Sequence, residues 1–351
     1  MEAPPFRSRT ETPPPVLEDL IDPHFHRVAS FLDPGGLAAL ARLSARLRAA
    51  LGALWAQPGS RPLVDISRRT ERRAPSLESL RAIARSGLFA VGGVSILTKP
   101  RTPGSPADQT VRVDATCITH EHLADALAQL PCLRQLKLRG ATAEVFARAL
   151  PALAPTLGSL VLRMCDDTDA VADALAASAL AASARPPLGA LTTLDFSFSN
   201  LTTVRAIAAA KLPSLRRLDL ISCFRLGEEQ RPASADAHER ARRAREGAFT
   251  CVAALGALRE LNVSYCPRLN EVDLTAISVS PSIVKLNCSN CPGLTSLAPL
   301  ARMRALTTLC ADDCSGLPLE ADDTCIAGLR ALLARRGGGV SCRRGDWADR
   351  R

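Results

Sequence analysis

At 351 residues, 47% of them hydrophobic but only 3% aromatic, the chain has room for about two domains and must build its core from leucine, alanine and valine. Lys and Arg number 44 against 35 Asp and Glu, a formal net charge of +9, but the basic residues are spread along the chain and lack interleaved aromatics, so nucleic acid is not the expected partner. No run of about 18 apolar residues occurs, so no membrane-spanning helix is expected.

Residues 1–16, MEAPPFRSRTETPPPV, are proline-rich and polar. They have no apolar region of a secretory signal and are expected to be disordered. Residues 17–57 form the first organised stretch. Leu20, Val28, Phe31 and Leu32 precede a DPGG break, after which Leu37, Leu40, Leu43, Leu47, Leu51 and Leu54 recur at the spacing of one helix face. Asp33 can cap that helix and Pro34 suits its first turn.

Residues 17–55 resemble the F-box, the short helical module that docks receptors of cullin-RING ubiquitin ligases onto a Skp-type adaptor. The matching elements are Leu20, Val28 four residues before Leu32, the Asp33-Pro34 break, Leu37, Leu43-Ser44 with Arg46 and Arg48, and Trp55. Ile21 stands where the family usually has proline, and Leu47 where it usually has tryptophan. The resemblance implies an adaptor-facing and module-core surface made by Leu20, Val28, Leu32, Pro34, Leu37 and Leu40, with a Skp-type adaptor and a cullin as partners. The other reading of these helices is a cap over the first coil of a repeat stack.

Residues 58–132 read as a connecting region. It contains a helical ESLRAIARSG from Glu78, a strand-like LFAVGGVSILT from Leu88, a turn-rich stretch over 99–109 and a degenerate first repeat in VRVDATCITHEHLADALAQL.

From 133 to 335 one phrase recurs, with apolar residues at positions 1, 4 and 6 and often cysteine at position 9. Its clearest copies are LRRLDLISCFRL from Leu215, LRELNVSYCPRL from Leu258, IVKLNCSNCPGL from Ile283 and LTTLCADDCSGL from Leu306. Weaker ones start at Leu133, Leu157 and Leu191. This is the leucine-rich-repeat signature. It predicts an α/β solenoid with a parallel sheet on its concave side, since one unit cannot bury its own leucines. The Cys-bearing phrase, joined to the N-terminal module, resembles the F-box and leucine-rich-repeat receptors. That resemblance implies adaptor binding by the helices and binding of a protein substrate by the solenoid. The alternative is a scaffold protein with the same solenoid and no ubiquitin role.

Cys165, Cys223, Cys266, Cys291 and Cys314 fall at position 9 and read as an inward structural ladder of free thiols. With no signal segment in view, a reducing cytoplasmic or nuclear location is expected. Cys288, Cys291, Cys310 and Cys314 have zinc-like spacing, but position 5, held by Cys310, points to the opposite face of the strand, so no metal is expected.

Strand alternation sends positions 3, 5, 7 and 8 outward on the concave face. The candidate partner-binding residues are Lys137, Arg139, Arg163, Asp195, Phe198, Arg217, Asp219, Glu260, Asn262, Tyr265, Lys285, Asn287, Asp312 and Asp313. They run from basic to acidic along the chain. Phe198 and Tyr265, the latter the chain's one tyrosine, are the candidate anchors.

Two intervals between phrases are long. Residues 166–190 read as an alanine-rich helix begun by acidic residues, and 227–250 as a charged loop turning helical near HERARRARE. Residues 336–351 read as a C-terminal cap or basic tail. His24 and His26, and His120 with His122, lack the spacing of two ligands on one helix face, and no phosphate-binding loop, dinucleotide fingerprint or nucleophile elbow occurs. No enzyme activity and no cofactor are expected.

Overall fold

The computed structural model describes residues 63–65, 77–86, 90–97, 120–130, 132–140, 142–153, 155–165, 167–181, 188–228, 247–318 and 324–343. The helical module at 17–57, the turn-rich stretch at 99–109, residues 229–246 of the second insertion and the tail from 344 lie outside them. Ten strands make one parallel sheet in chain order. They are β1 Leu63–Asp65, β2 Ala90–Leu97, β3 Gln135–Arg139, β4 Ser159–Arg163, β5 Thr193–Asp195, β6 Arg217–Asp219, β7 Glu260–Asn262, β8 Lys285–Asn287, β9 Thr308–Cys310 and β10 Gly339–Ser341. Among the described residues, seven helices return the chain: α1 Leu77–Ser86, α2 His120–Ala128, α3 Ala143–Ala149, α4 Thr168–Ala181, α5 Arg205–Ala209, α6 Glu271–Ser278 and α7 Thr324–Ala334.

The leucine phrase sets the register. Leu136, Leu160, Leu194, Leu218, Leu261, Leu286 and Leu309, all at position 4, are direct cross-strand partners. Together with the residues at positions 1 and 6 they form a continuous buried column. Each buried leucine is worth about 1.5–3 kcal/mol, but only because the next coil covers it. Helices α2 to α5 pack in succession behind the sheet, and 3₁₀ turns at Val252–Ala254 and Ala298–Arg302 replace helices in later coils. Helices need about 8–10 Å between axes, whereas strands need about 4.8 Å, so the sheet takes the inside of the curve.

The sheet reaches past both ends of the leucine phrases, into the segment read as connecting region and beyond residue 335. β2, AVGGVSIL, lies in the segment read as strand-like from Leu88, whereas β10 follows a Gly-Gly pair and has no leucine phrase. At Gly338 a Cβ would collide with the Thr307 carbonyl, so the last coil cannot carry a leucine-phrase side chain there. The first insertion is helical, as its sequence suggests: Asp169 lies in the first turn of α4 and accepts from the amide (3.0 Å) and hydroxyl (2.9 Å) of Thr202 in the next coil. The second insertion ends against α6. There Asp273, buried and completing a capping box with Asn270, accepts from the Ala248 amide at 2.7 Å. Burial pushes the Asp273 carboxyl above its ordinary value.

Position 9 works as the cysteine spacing implies. Sγ of Cys223, Cys266, Cys291 and Cys314 donates to the position-6 carbonyl of the preceding coil, on Phe196 (3.4 Å), Leu220 (3.2 Å), Val263 (3.2 Å) and Cys288 (3.1 Å). Ser199 makes the same bond, to Leu162 at 3.3 Å. Burial pushes the Cys223 and Cys266 thiols up to about 12 and those of Cys288, Cys291 and Cys314 up as well. They therefore keep their protons near neutral pH and act as donors. Cys310 lies half-buried on strand β9, away from this ladder, so the four zinc-spaced sulfurs do not converge. Among the described residues no cysteine is in a disulfide, and no three His, Cys, Asp or Glu side chains are grouped to hold a metal.

Close packing of coils gives a direct test. A Cβ on Gly316 would lie 2.5 Å from the carbonyls of both Leu294 and Pro292, whereas at Gly256 nothing stands within 4 Å. Gly316→Ala should cost about 2 kcal/mol or more and lower the thermal midpoint, while Gly256→Ala should stay within about 0.5 kcal/mol of the parent. Equal effects in thermal unfolding would show that the coils do not approach this closely.

Candidate partner-binding face

Strand length decides which side chains the concave face offers. In β3 and β4 the strand runs to position 7, and the alternation places Lys137, Arg139 and Arg163 half-exposed on the open face. In β5 to β9 the strand ends at position 5, and the chain turns before position 7 can face outward. Ser197, Ser264 and Ser289 are consequently buried, which corrects the expectation that position 7 is presented throughout. Their amides are caught by the position-5 side chains Asp195 (2.8 Å), Asn262 (3.1 Å) and Asn287 (3.0 Å). The hydroxyls of Ser197 and Ser289 accept from the position-7 amides of the next coil, Ile221 and Asp312.

The candidate carboxylates are also differently placed from a simple outward display. Asp195 and Asp219 are buried, although they lie on the strand face. Arg163 covers Asp195, with Nε at 3.0 Å and Nη2 at 2.7 Å from Oδ2. Arg217 covers Asp219 with Nε at 2.8 Å, reaches towards Glu260 with Nη1 at 3.7 Å, and Glu260 takes Lys285 Nζ at 2.6 Å. The hydrogen bond to Asp219 pushes the Arg217 guanidinium further up. At the acidic end, Asp312 accepts from the Ser341 hydroxyl (2.8 and 3.0 Å) and the Arg343 amide (2.7 Å). Ion pairs thus interrupt the expected basic-to-acidic gradient, within a coil for Arg217–Asp219 and between coils for Arg163–Asp195, Arg217–Glu260 and Lys285–Glu260. The exposed ones among them are each worth about 0–1 kcal/mol.

Position 8 is the feature that sets this face apart. Gly140, Met164, Phe198, Ser222, Tyr265, Asn290 and Asp313 all have positive φ, between 55° and 73°. Gly140 does this without strain, but an L side chain there costs about 1–2 kcal/mol. The amides are held from coil to coil: Phe198 donates to Ile221, Ser222 to Ser264, Tyr265 to Ser289 and Asn290 to Asp312, at 2.7–2.9 Å. The backbone is locked, and the large apolar side chains of the row stand out while Ser222 is buried. Met164 is 45% exposed, Phe198 48% and Tyr265 50%. Phe198 therefore does not slip into the core. Phe224, two residues past Ser222 and 60% exposed, belongs to the same run of coils and escaped the sequence reading. Its signal was there: it stands where other copies of the phrase have proline or serine after the cysteine.

The adaptor-facing candidates Leu20, Val28, Leu32, Pro34, Leu37 and Leu40 lie outside the described residues. Among the described residues no helix is long and apolar enough to cross a membrane.

No protein-family model and no curated protein matches the chain. Three solved structures illustrate its likenesses. TLR13, in a structure with ssRNA13, is 17% identical over 57% of this chain, with a TM-score of 0.36; this chain spans only 27% of its length. Internalin F of Listeria monocytogenes is 13% identical over 92% of this chain and 68% of its own, with a TM-score of 0.39. The leucine-rich repeat-containing protein LegL7 of Legionella pneumophila is 14% identical over 85% and 79%, with a TM-score of 0.38. The leucine-rich-repeat assignment rests on the chain's own phrases and the ten-strand sheet they build.

If Phe198 and Tyr265 serve the face and not the fold, glycine should replace them at little cost. Relief of the left-handed backbone offsets the extra freedom glycine gives the unfolded chain, about 0.4–1 kcal/mol. Phe198→Gly and Tyr265→Gly should each stay within about 1 kcal/mol of the parent in thermal unfolding. A loss of more than about 2 kcal/mol would give these side chains a packing role instead.

Proposed function

We propose that this chain is a non-catalytic protein-binding scaffold whose leucine-rich-repeat solenoid takes a protein partner on the concave face and its position-8 rim. The observation that carries the reading is the row of large apolar side chains held in solvent on strained, hydrogen-bonded backbone. Strain of this kind persists where the surroundings enforce it, and exposed anchors on rigid backbone lose little entropy on binding. Lys137, Arg139, Arg163, Arg217, Glu260, Asn262, Lys285, Asn287 and Asp313 would supply polar contacts around the anchors. Asp195, Asp219 and Asp312 act by holding turns and arginines in place.

A finer reading makes the scaffold the substrate receptor of a Skp-cullin-F-box type ubiquitin ligase. It rests on the resemblance of residues 17–55 together with that of the Cys-bearing repeats. Proximity would then be the whole mechanism: the solenoid raises the effective concentration of substrate near the ubiquitin-loaded enzyme.

Photo-crosslinking tests the broader reading. A benzophenone side chain at 198 or 265 in the full-length chain should give discrete protein adducts in the native cell, and one at exposed Val279, just past α6, should not. Adducts at Val279 alone would remove the concave face from consideration. The finer reading further requires a Skp-type adaptor to co-purify with the chain and to be lost from the Leu32→Ala, Pro34→Ala variant.

A further inference from the structure

Asp195 and Asp219 are direct cross-strand partners on β5 and β6. Two carboxylates so placed repel each other, and the sheet keeps them by covering each with an arginine. Arg163 comes from position 7 of its coil and Arg217 from position 3, yet both reach the position-5 row, so their guanidinium groups are gathered side by side above it. The layering is clear in the exposures: the side chains of Arg163 and Arg217 are 43% and 50% exposed, those of Asp195 and Asp219 only 6% and 10%. Nη1 of Arg163 and Nη2 of Arg217 take no part in these pairs. An approaching molecule meets two cationic edges first, already locked in orientation.

Phe198 stands on the same coil as Asp195, three residues further along, and Met164 on the coil before. The strand ends at Asp195 and the chain turns before Phe198, so the ring and the arginine-covered carboxylate lie on either side of one turn. A polyanion with a charge at every unit does not fit this face, because Glu260, Asp312 and Asp313 recur along it; an isolated carboxylate beside an apolar group does.

We infer that the coils of β4 to β7 take an extended acidic segment of a partner protein, with one Asp or Glu carboxylate received by Arg163 and Arg217 and an apolar side chain of the same segment seated on Met164 and Phe198. This rests on the reading of the concave face as a protein-binding surface. Arginine pairs favour a carboxylate through charge-assisted hydrogen bonds, and the pre-formed Asp195 and Asp219 contacts spare the cost of ordering them.

Selection of random peptides displayed on phage against the full-length chain tests it. Enriched peptides should carry Asp or Glu together with an aromatic or aliphatic residue. A synthetic copy of the best one should bind about tenfold more weakly to Arg163→Gln and to Phe198→Gly, and more weakly as salt rises. Arg163→Lys, which keeps a cation over Asp195, covers the case in which Arg163→Gln fails to fold. It should fold and still lose affinity, because lysine cannot reproduce the planar fork. Enriched peptides without acidic residues that are still lost in Phe198→Gly would overturn the carboxylate chemistry and leave the protein-binding face standing. Peptides indifferent to both variants would remove both. No enrichment, or tighter competing binding of a labelled oligo-uridylate, would overturn the inference in favour of none or of a nucleic-acid ligand.

Discussion

The solenoid depends on one constraint: after a short strand, each coil must turn inward and still satisfy every backbone group it buries. Two rows of bonds meet it. A thiol or hydroxyl at position 9 donates to the position-6 carbonyl of the coil before, and the position-8 amide donates to the position-7 carbonyl of the coil after. Unpaired, such groups would each cost about 1–3 kcal/mol. The left-handed backbone at position 8 is the geometry that lets both rows form at once.

That same geometry produces the candidate binding surface. A residue forced into the left-handed region at the end of a strand has its backbone fixed by the neighbouring coil and its side chain turned away from the core. Glycine suffices for the turn, as Gly140 shows, so Phe198 and Tyr265 are not there for the backbone's sake. The ion pairs add a second layer of order. Because Asp195 also holds the Ser197 amide, Arg163 is positioned by a carboxylate that is itself part of the turn. On the proposed reading, partner recognition and coil closure would share residues, which would tie the shape of the surface to the integrity of the stack.

Much of the fold was legible in the sequence because the repeat is a local pattern. Leucines at positions 1, 4 and 6 mark the strands, and cysteine spacing marks the inward position 9, where Ser199 is recognisable afterwards as its stand-in. What escaped was non-local or depended on where a strand stops. Ser197 looks outward by alternation, but alternation ends with the strand at Asp195. The pairing of Arg163 with Asp195 joins residues 32 apart and cannot be read from either phrase alone. β10, which follows a Gly-Gly pair, lacks the leucines that announce a repeat, whereas β2 is legible as a strand from LFAVGGVSILT. Phe198 and Tyr265 were legible as exposed aromatics, while Phe224 was passed over because it lies beyond the strand positions.

The position-8 side chains stand on a backbone as firmly bonded as the strands themselves. Residue-resolved hydrogen exchange of the amides of Phe198, Ser222, Tyr265 and Asn290 tests it most directly. The account predicts protection comparable to that of the strand residues Leu194, Leu218, Leu261 and Leu286. Exchange at the rates of an open loop would contradict it, leaving the aromatic side chains on mobile turns and the proposed surface without its rigid base.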